Sequence, residues 1–254
     1  MALTRSGLAI GVLLVGVGAG WADPVGDAGS TPPCLSDAMI VLDGSGSMAA
    51  ADFPEGAPNR MDRVRQALGR VVPDVAQVRR LGLVIYGPGK SERSCQHVDL
   101  KFPPRVNAAR DILQLADRIR PAGRTPLTRS VAMAVEALKD SPRPAEIVVL
   151  TDGEDTCGGD PCDLARSMKA EAPGVRVHVV GFRLPSYNET AGAQCLASET
   201  GGLFVTAETT SELTDALRQT LVCSNVSDRA PVTVKRLAAM PGGGLRSQIE
   251  PSGP

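Results

Sequence analysis

The 254-residue chain carries 27 Lys and Arg against 28 Asp and Glu, a net charge of −1, and 43% of its residues are hydrophobic. This near-neutral balance offers no broad basic field for nucleic acid or an anionic membrane surface, so any partner must be selected locally. The hydrophobic share is ordinary for a globular core, and the length suits one domain of about 190 residues with tails.

The chain opens with Arg5, an apolar stretch from about Leu8 to Gly20, and Ala22 just before Asp23 and Pro24. This is the layout of a secretory signal peptide over 1–22. The apolar stretch falls short of the ~20 residues needed to cross hydrocarbon, so no stable membrane insertion is expected after cleavage. A polar linker follows over 23–34, then a domain over 35–223. The remainder, 224–254, contains Pro241-Gly-Gly-Gly244, lacks periodicity and is expected to be a flexible tail.

Inside the domain, strand-like runs at 38–42, 81–86, 98–102, 147–150, 175–182 and 203–207 alternate with helical stripes, which predicts an α/β sheet. The stripes are Met61, Val64, Leu68, Val71 and Val75, then Ile112, Leu115 and Ile119, then Leu127, Val131, Ala134 and Leu138, and last Leu213, Ala216, Leu217 and Leu221. The runs at 81–86 and 98–102 are joined by a turn-rich segment too short for a crossover helix, so they should pair antiparallel at a sheet edge.

Three of these elements deliver oxygen-bearing side chains. The run 39–42 ends in Asp43-Gly-Ser45-Gly-Ser47, which places a carboxylate and two hydroxyls on one turn. Thr125 precedes Pro126 at a helix start, and Asp152 follows the apolar run 147–150 and Thr151. Singly, each has an ordinary structural alternative: a turn, a helix cap and a second turn. Hydroxyls and carboxylates together suit a hard cation, which prefers oxygen; Mg2+ takes about six at roughly 2.0–2.1 Å.

Cys34, Cys95, Cys157, Cys162, Cys195 and Cys223 form an even set in an exported chain and are read as disulfide partners. Zinc is disfavoured: Cys157 and Cys162 lack a second close pair, His97 is distant, and His178 belongs to a strand-like run.

The order Asp-x-Ser-x-Ser, Thr, Asp resembles the metal-ion-dependent adhesion site of von Willebrand factor A domains, and the resemblance extends over roughly 35–223. It implies a three-layer, doubly wound α/β fold. Its central sheet would hold six mostly parallel strands in order 3-2-1-4-5-6, with strand 3 antiparallel and helices on both faces. It also implies a metal site on Asp43, Ser45, Ser47, Thr125 and Asp152, holding Mg2+, with Mn2+ or Ca2+ as alternatives. A Glu or Asp of a partner protein would complete the coordination. The function implied is a periplasmic or secreted, metal-dependent protein-binding module. In relatives, cysteines placed like Cys34 and Cys223 approach each other. The other four are expected at the metal face, paired as Cys95 with Cys157 and Cys162 with Cys195, or alternatively as Cys157 with Cys162 and Cys95 with Cys195.

Glu154, Asp155, Asp160 and Asp163 depart from this picture, since an acidic rim would repel an acidic partner unless it is offset or holds a second cation such as calcium. Other readings are a metal-dependent hydrolase or phosphatase, or a purely structural scaffold. An enzyme is not expected, because neither histidine is placed to serve Ser45 or Ser47 as base. Carbohydrate binding is disfavoured because Trp21 leaves with the leader and only Tyr86 and Tyr187 remain as tyrosines.

Overall fold

Aliphatic runs make the strands, and their burial shows where each lies. β1 (Asp37–Asp43), β2 (Leu81–Tyr86) and β4 (Ala145–Thr151) are buried along their whole length, as strands covered on both faces must be. The computed structural model describes residues 34–54, 56–89, 92–139, 141–184 and 190–223. The leader, the linker before Cys34, Tyr187 and the tail at 224–254 lie outside the described residues.

With β3 (Val98–Arg105), β5 (Val175–Phe182) and β6 (Phe204–Ala207), these strands form one sheet in the order β3-β2-β1-β4-β5-β6. β3 runs antiparallel to β2 and the other neighbours are parallel, the α/β arrangement expected. β3 continues past the expected end at 102 through Pro103 and Pro104, with register shifts against β2. Proline has no N–H to give a ladder, and an edge strand is where that loss is tolerated.

Side chains alternate across the pleat. Ala38, Ile40 and Leu42 pack with α1 (Arg60–Val78), α2 (Ala109–Arg118) and α6 (Thr210–Leu221). Met39 and Val41 pack on the opposite face with α3 (Leu127–Leu138), α4 (Pro161–Glu171) and α5 (Ala191–Glu199). Among the described residues, no helix is long and apolar enough to cross a membrane.

β1 lies between β2 and β4, so the chain leaves it toward one edge and later returns on its other side. Leu42 pairs with Leu150, which brings Asp43 beside Thr151 and Asp152 although more than a hundred residues separate them. Ligands in open α/β sheets bind at the carboxyl ends of strands where the order reverses. His178 is a strand residue in β5, and its Nδ1 accepts from the Leu203 N–H at 3.0 Å.

Candidate metal centre

Asp43 ends β1 fully buried, with both carboxylate oxygens engaged. Oδ1 accepts from the Ser45 N–H and Oδ2 from the Thr151 hydroxyl, each at 2.8 Å. The Ser47 hydroxyl donates to Asp152 Oδ1 at 2.6 Å, and Ser45 Oγ lies 3.1 Å from Ser47 Oγ. A hydroxyl has one proton, so with Ser47 committed to Asp152 it is Ser45 that donates to Ser47. The two serine hydroxyls and Asp152 thus form one chain, with the protons turned toward Asp152 and hydroxyl lone pairs left for another ligand, and Asp43 joins it through the Ser45 N–H.

Thr125 is held between the two strand ends. Its loop is fixed to the first turn by Gly46 N–H to Gly123 O at 3.1 Å and Ala122 N–H to Gly44 O at 3.0 Å. The loop after β4 is fixed to it by Thr156 N–H to Thr125 O at 3.0 Å and Thr125 N–H to Thr156 Oγ1 at 2.8 Å. Two glycines permit this stacking of backbones. Gly87 has φ +96, and a Cβ there would lie 2.4 Å from Ser45 N; Gly123 has φ +79, and a Cβ would lie 2.5 Å from Gly87 O. Helix capping does not claim the Thr125 hydroxyl. The N-cap position of α3 is Pro126 without a side-chain cap, and Asp155 Oδ2 instead accepts from the Thr128 N–H at 2.8 Å.

The charges need a counter-ion. Burial, then the charge of Asp152, pushes the Asp43 carboxyl up to about 6, despite opposing hydrogen bonds from Ser45 and Thr151. Burial also raises Asp152, against the pull of Ser47 and Arg60. Arg60 was missed in the sequence. Its Nη1 donates to Asp152 Oδ2 at 3.0 Å, while Nε and Nη2 donate to Asp52 Oδ2 at 3.0 and 2.5 Å. A weak local signal was present: Arg60 is the first residue of α1, where a cation opposes the helix dipole and gains from a neighbouring carboxylate.

The acidic rim has structural work. Asp155 accepts from the N–H groups of Thr128, Cys157 and Gly159, Asp160 caps α4 through the N–H groups of Cys162 and Asp163, and Asp163 pairs with Arg166. Glu154 is exposed. Among the described residues, no group of three or more His, Cys, Asp or Glu comes together to hold a metal.

Disulfides brace this end. Cys95 bonds Cys157, tying the turn before β3 to the loop after β4, and Cys162 bonds Cys195, tying α4 to α5. Cys34 bonds Cys223 at the opposite end of β1. Of the two pairings left open for these four cysteines, the first is therefore the one formed. Tyr86 is wholly buried and presents no ring for stacking a sugar.

The donor set fits a hard, oxygen-seeking cation: hydroxyls from Ser45, Ser47 and Thr125, with buried carboxylates from Asp43 and Asp152 that lack a full counter-charge. It offers no nitrogen or sulfur for zinc.

Residues 38–154 match the family model described as the von Willebrand factor type A domain. The uncharacterized protein YwmC of Bacillus subtilis (strain 168) is 26% identical over 185 residues, covering 70% of this chain and 79% of that protein. Among solved structures, the PilB minor pilin from Streptococcus sanguinis superposes with a TM-score of 0.57 at 16% identity. That match covers 76% of this chain and 62% of the pilin chain. A von Willebrand factor type A structure from Catenulispora acidiphila gives 0.55 at 19%, covering 73% of this chain and 42% of the other. At these identities the structural matches speak to fold.

Proposed function

We propose that residues 38–154, which match the von Willebrand factor type A model, belong to a domain of that family working as an exported, adhesion-type protein-binding module. Asp43, Ser45, Ser47, Thr125 and Asp152 would hold a divalent cation, Mg2+ by preference, and a Glu or Asp of a partner protein would complete its coordination. The observation that carries this reading is the hydrogen-bonded chain Ser45–Ser47–Asp152 beside Asp43, with the Thr125 loop bonded to both strand ends. Bound Mg2+ would supply a Lewis-acidic centre that stays electropositive when three of its protein donors are neutral hydroxyls.

The protein's own groups prepare that centre. Asp152 orients the Ser47 hydroxyl by taking its proton, Ser47 orients Ser45, and Asp43 is fixed by Ser45 N–H and Thr151. The rim is a weaker obstacle to an acidic partner than its sequence suggests, because Asp155, Asp160 and Asp163 are each engaged by N–H donors or Arg166. A binding role, as against hydrolysis, is supported by His178, which is engaged in β5 by the Leu203 N–H. Export is supported by the three disulfides, which suit an oxidising compartment, and a minor pilin of the same fold is consistent with surface adhesion.

Calorimetric titration of Mg2+ and Mn2+ into the chelator-treated protein tests the proposal. Saturable binding is expected, weakened at least about tenfold in Ser47→Ala, which loses both a donor and the proton held on Asp152. Equal binding by the variant would refute the assignment. Partner capture in Mg2+ against EDTA then reads the second half of the proposal.

A further inference from the structure

Arg60 is joined to the candidate site by a carboxylate it shares with Ser47. Asp152 Oδ1 takes the Ser47 hydroxyl at 2.6 Å and Oδ2 takes Arg60 Nη1 at 3.0 Å. The Asp152 side chain is fully buried and that of Arg60 is 16% exposed, so water screens this pair little. A second carboxylate, Asp52, accepts from the other side of the same guanidinium. Asp52 is also held by Arg183, at 3.3 Å from Nε. Phe53, next in sequence, lies beneath the guanidinium of Arg63, stacks against Phe182, and anchors the segment.

We propose that Arg60 is a tethered cation that neutralises Asp152 when the site is empty of metal and competes with a divalent cation for that carboxylate, setting the affinity of the site. This rests on the cation reading above. Asp52 is the partner that retains Arg60 when its hold on Asp152 weakens, since two of its three contacts go there. A single positive charge on Asp152 leaves Asp43 without full compensation, so Arg60 substitutes for the metal only in part. Repulsion between the guanidinium and a dication in so dry a site is large enough to matter.

The test compares the full chain with Arg60→Gln and Arg60→Lys, using Mg2+ titration and melting of the chelator-treated protein. Arg60→Gln is expected to bind Mg2+ roughly tenfold more tightly, because the competing charge is gone, and to melt lower without metal. Arg60→Lys keeps the charge and loses the planar fork, so its affinity should stay near that of the unaltered protein while its metal-free melting falls. Metal-free melting is a readout that does not depend on cation binding. Equal Mg2+ affinities in the unaltered protein and Arg60→Gln, with Ser47→Ala still defective, would overturn the role of Arg60 and leave the cation reading standing. Absence of Mg2+ binding in all four proteins would overturn both.

Discussion

Replacing Cys34 and Cys223 together by Ala is expected to lower the unfolding free energy by about 5 kcal/mol without disturbing the candidate site around Asp43 and Asp152. The bond closes a loop across a sequence separation of 189, nearly the whole domain, and the chain-entropy treatment gives about 5 kcal/mol for a loop of that size. For a domain of this length that is a fall in melting temperature of about 10–20 °C. The native fold should survive, because α6 still buries Leu213, Ala216, Leu217 and Leu221 against the core containing α1. Cys34 precedes β1 and Asp43 ends it, so at about 3.3 Å per residue the bond lies well over 20 Å along the strand from the site. Denaturant titration without reductant reads the first effect and Mg2+ calorimetry the second. A loss below about 1 kcal/mol would mean the unfolded chain is already restricted without the bond.

The strands, and the turns that carry Asp43 and Asp152, were legible because they follow from patterns of short range, whereas the sheet order came with the family resemblance. Buried strands read as unbroken aliphatic runs, and Asp43 and Asp152 stand one or two positions beyond such runs, whereas Thr125 stands before a helix. The added length of β3 was not legible, since Pro103 and Pro104 read as an end; only its place at the edge makes them acceptable. The hydrogen bonding of the rim was not legible for a related reason. A line of acids in sequence says nothing about which backbone N–H groups will face them, and Asp155 reaches across to the first turn of α3. Arg60 escaped because Asp152, far from it in sequence, becomes its neighbour only when the sheet is assembled. Fixed spacing points to the candidate ligands of a site, whereas a counter-charge distant in sequence is found through tertiary contact.

At the end of β1 opposite Asp43, Arg79 is expected to be the most costly single side chain to remove. Its guanidinium is fully buried and donates to Ser36 O, Ser36 Oγ, Asp37 O, Leu221 O and Glu146 Oε2, tying the start of β1 to the end of α6 and to β4. Arg79→Ala would leave Glu146 and these carbonyl groups short of a donor, a loss of about 3–5 kcal/mol. Arg176 also pairs with Glu146, and His178 Nε2 stands 3.9 Å from it, so the carboxylate keeps some support. Burial alone would raise the Glu146 carboxyl, but the nearby His178 imidazole and the charge and hydrogen bond of Arg79 hold it down to about 2. The unfolded chain takes up that proton near pH 4.3. Glu146 therefore contributes its full stability above that pH and loses it as the pH falls through about 2. The contribution is about 3 kcal/mol, part of the same interaction that Arg79→Ala removes and not additional to it. Urea titrations at pH 7, 4 and 2.5 should show the gap between Arg79→Ala and the unaltered protein narrowing on the acid side. A gap that stays constant would place the loss in the carbonyl groups around Ser36, Asp37 and Leu221 instead of in the ion pair.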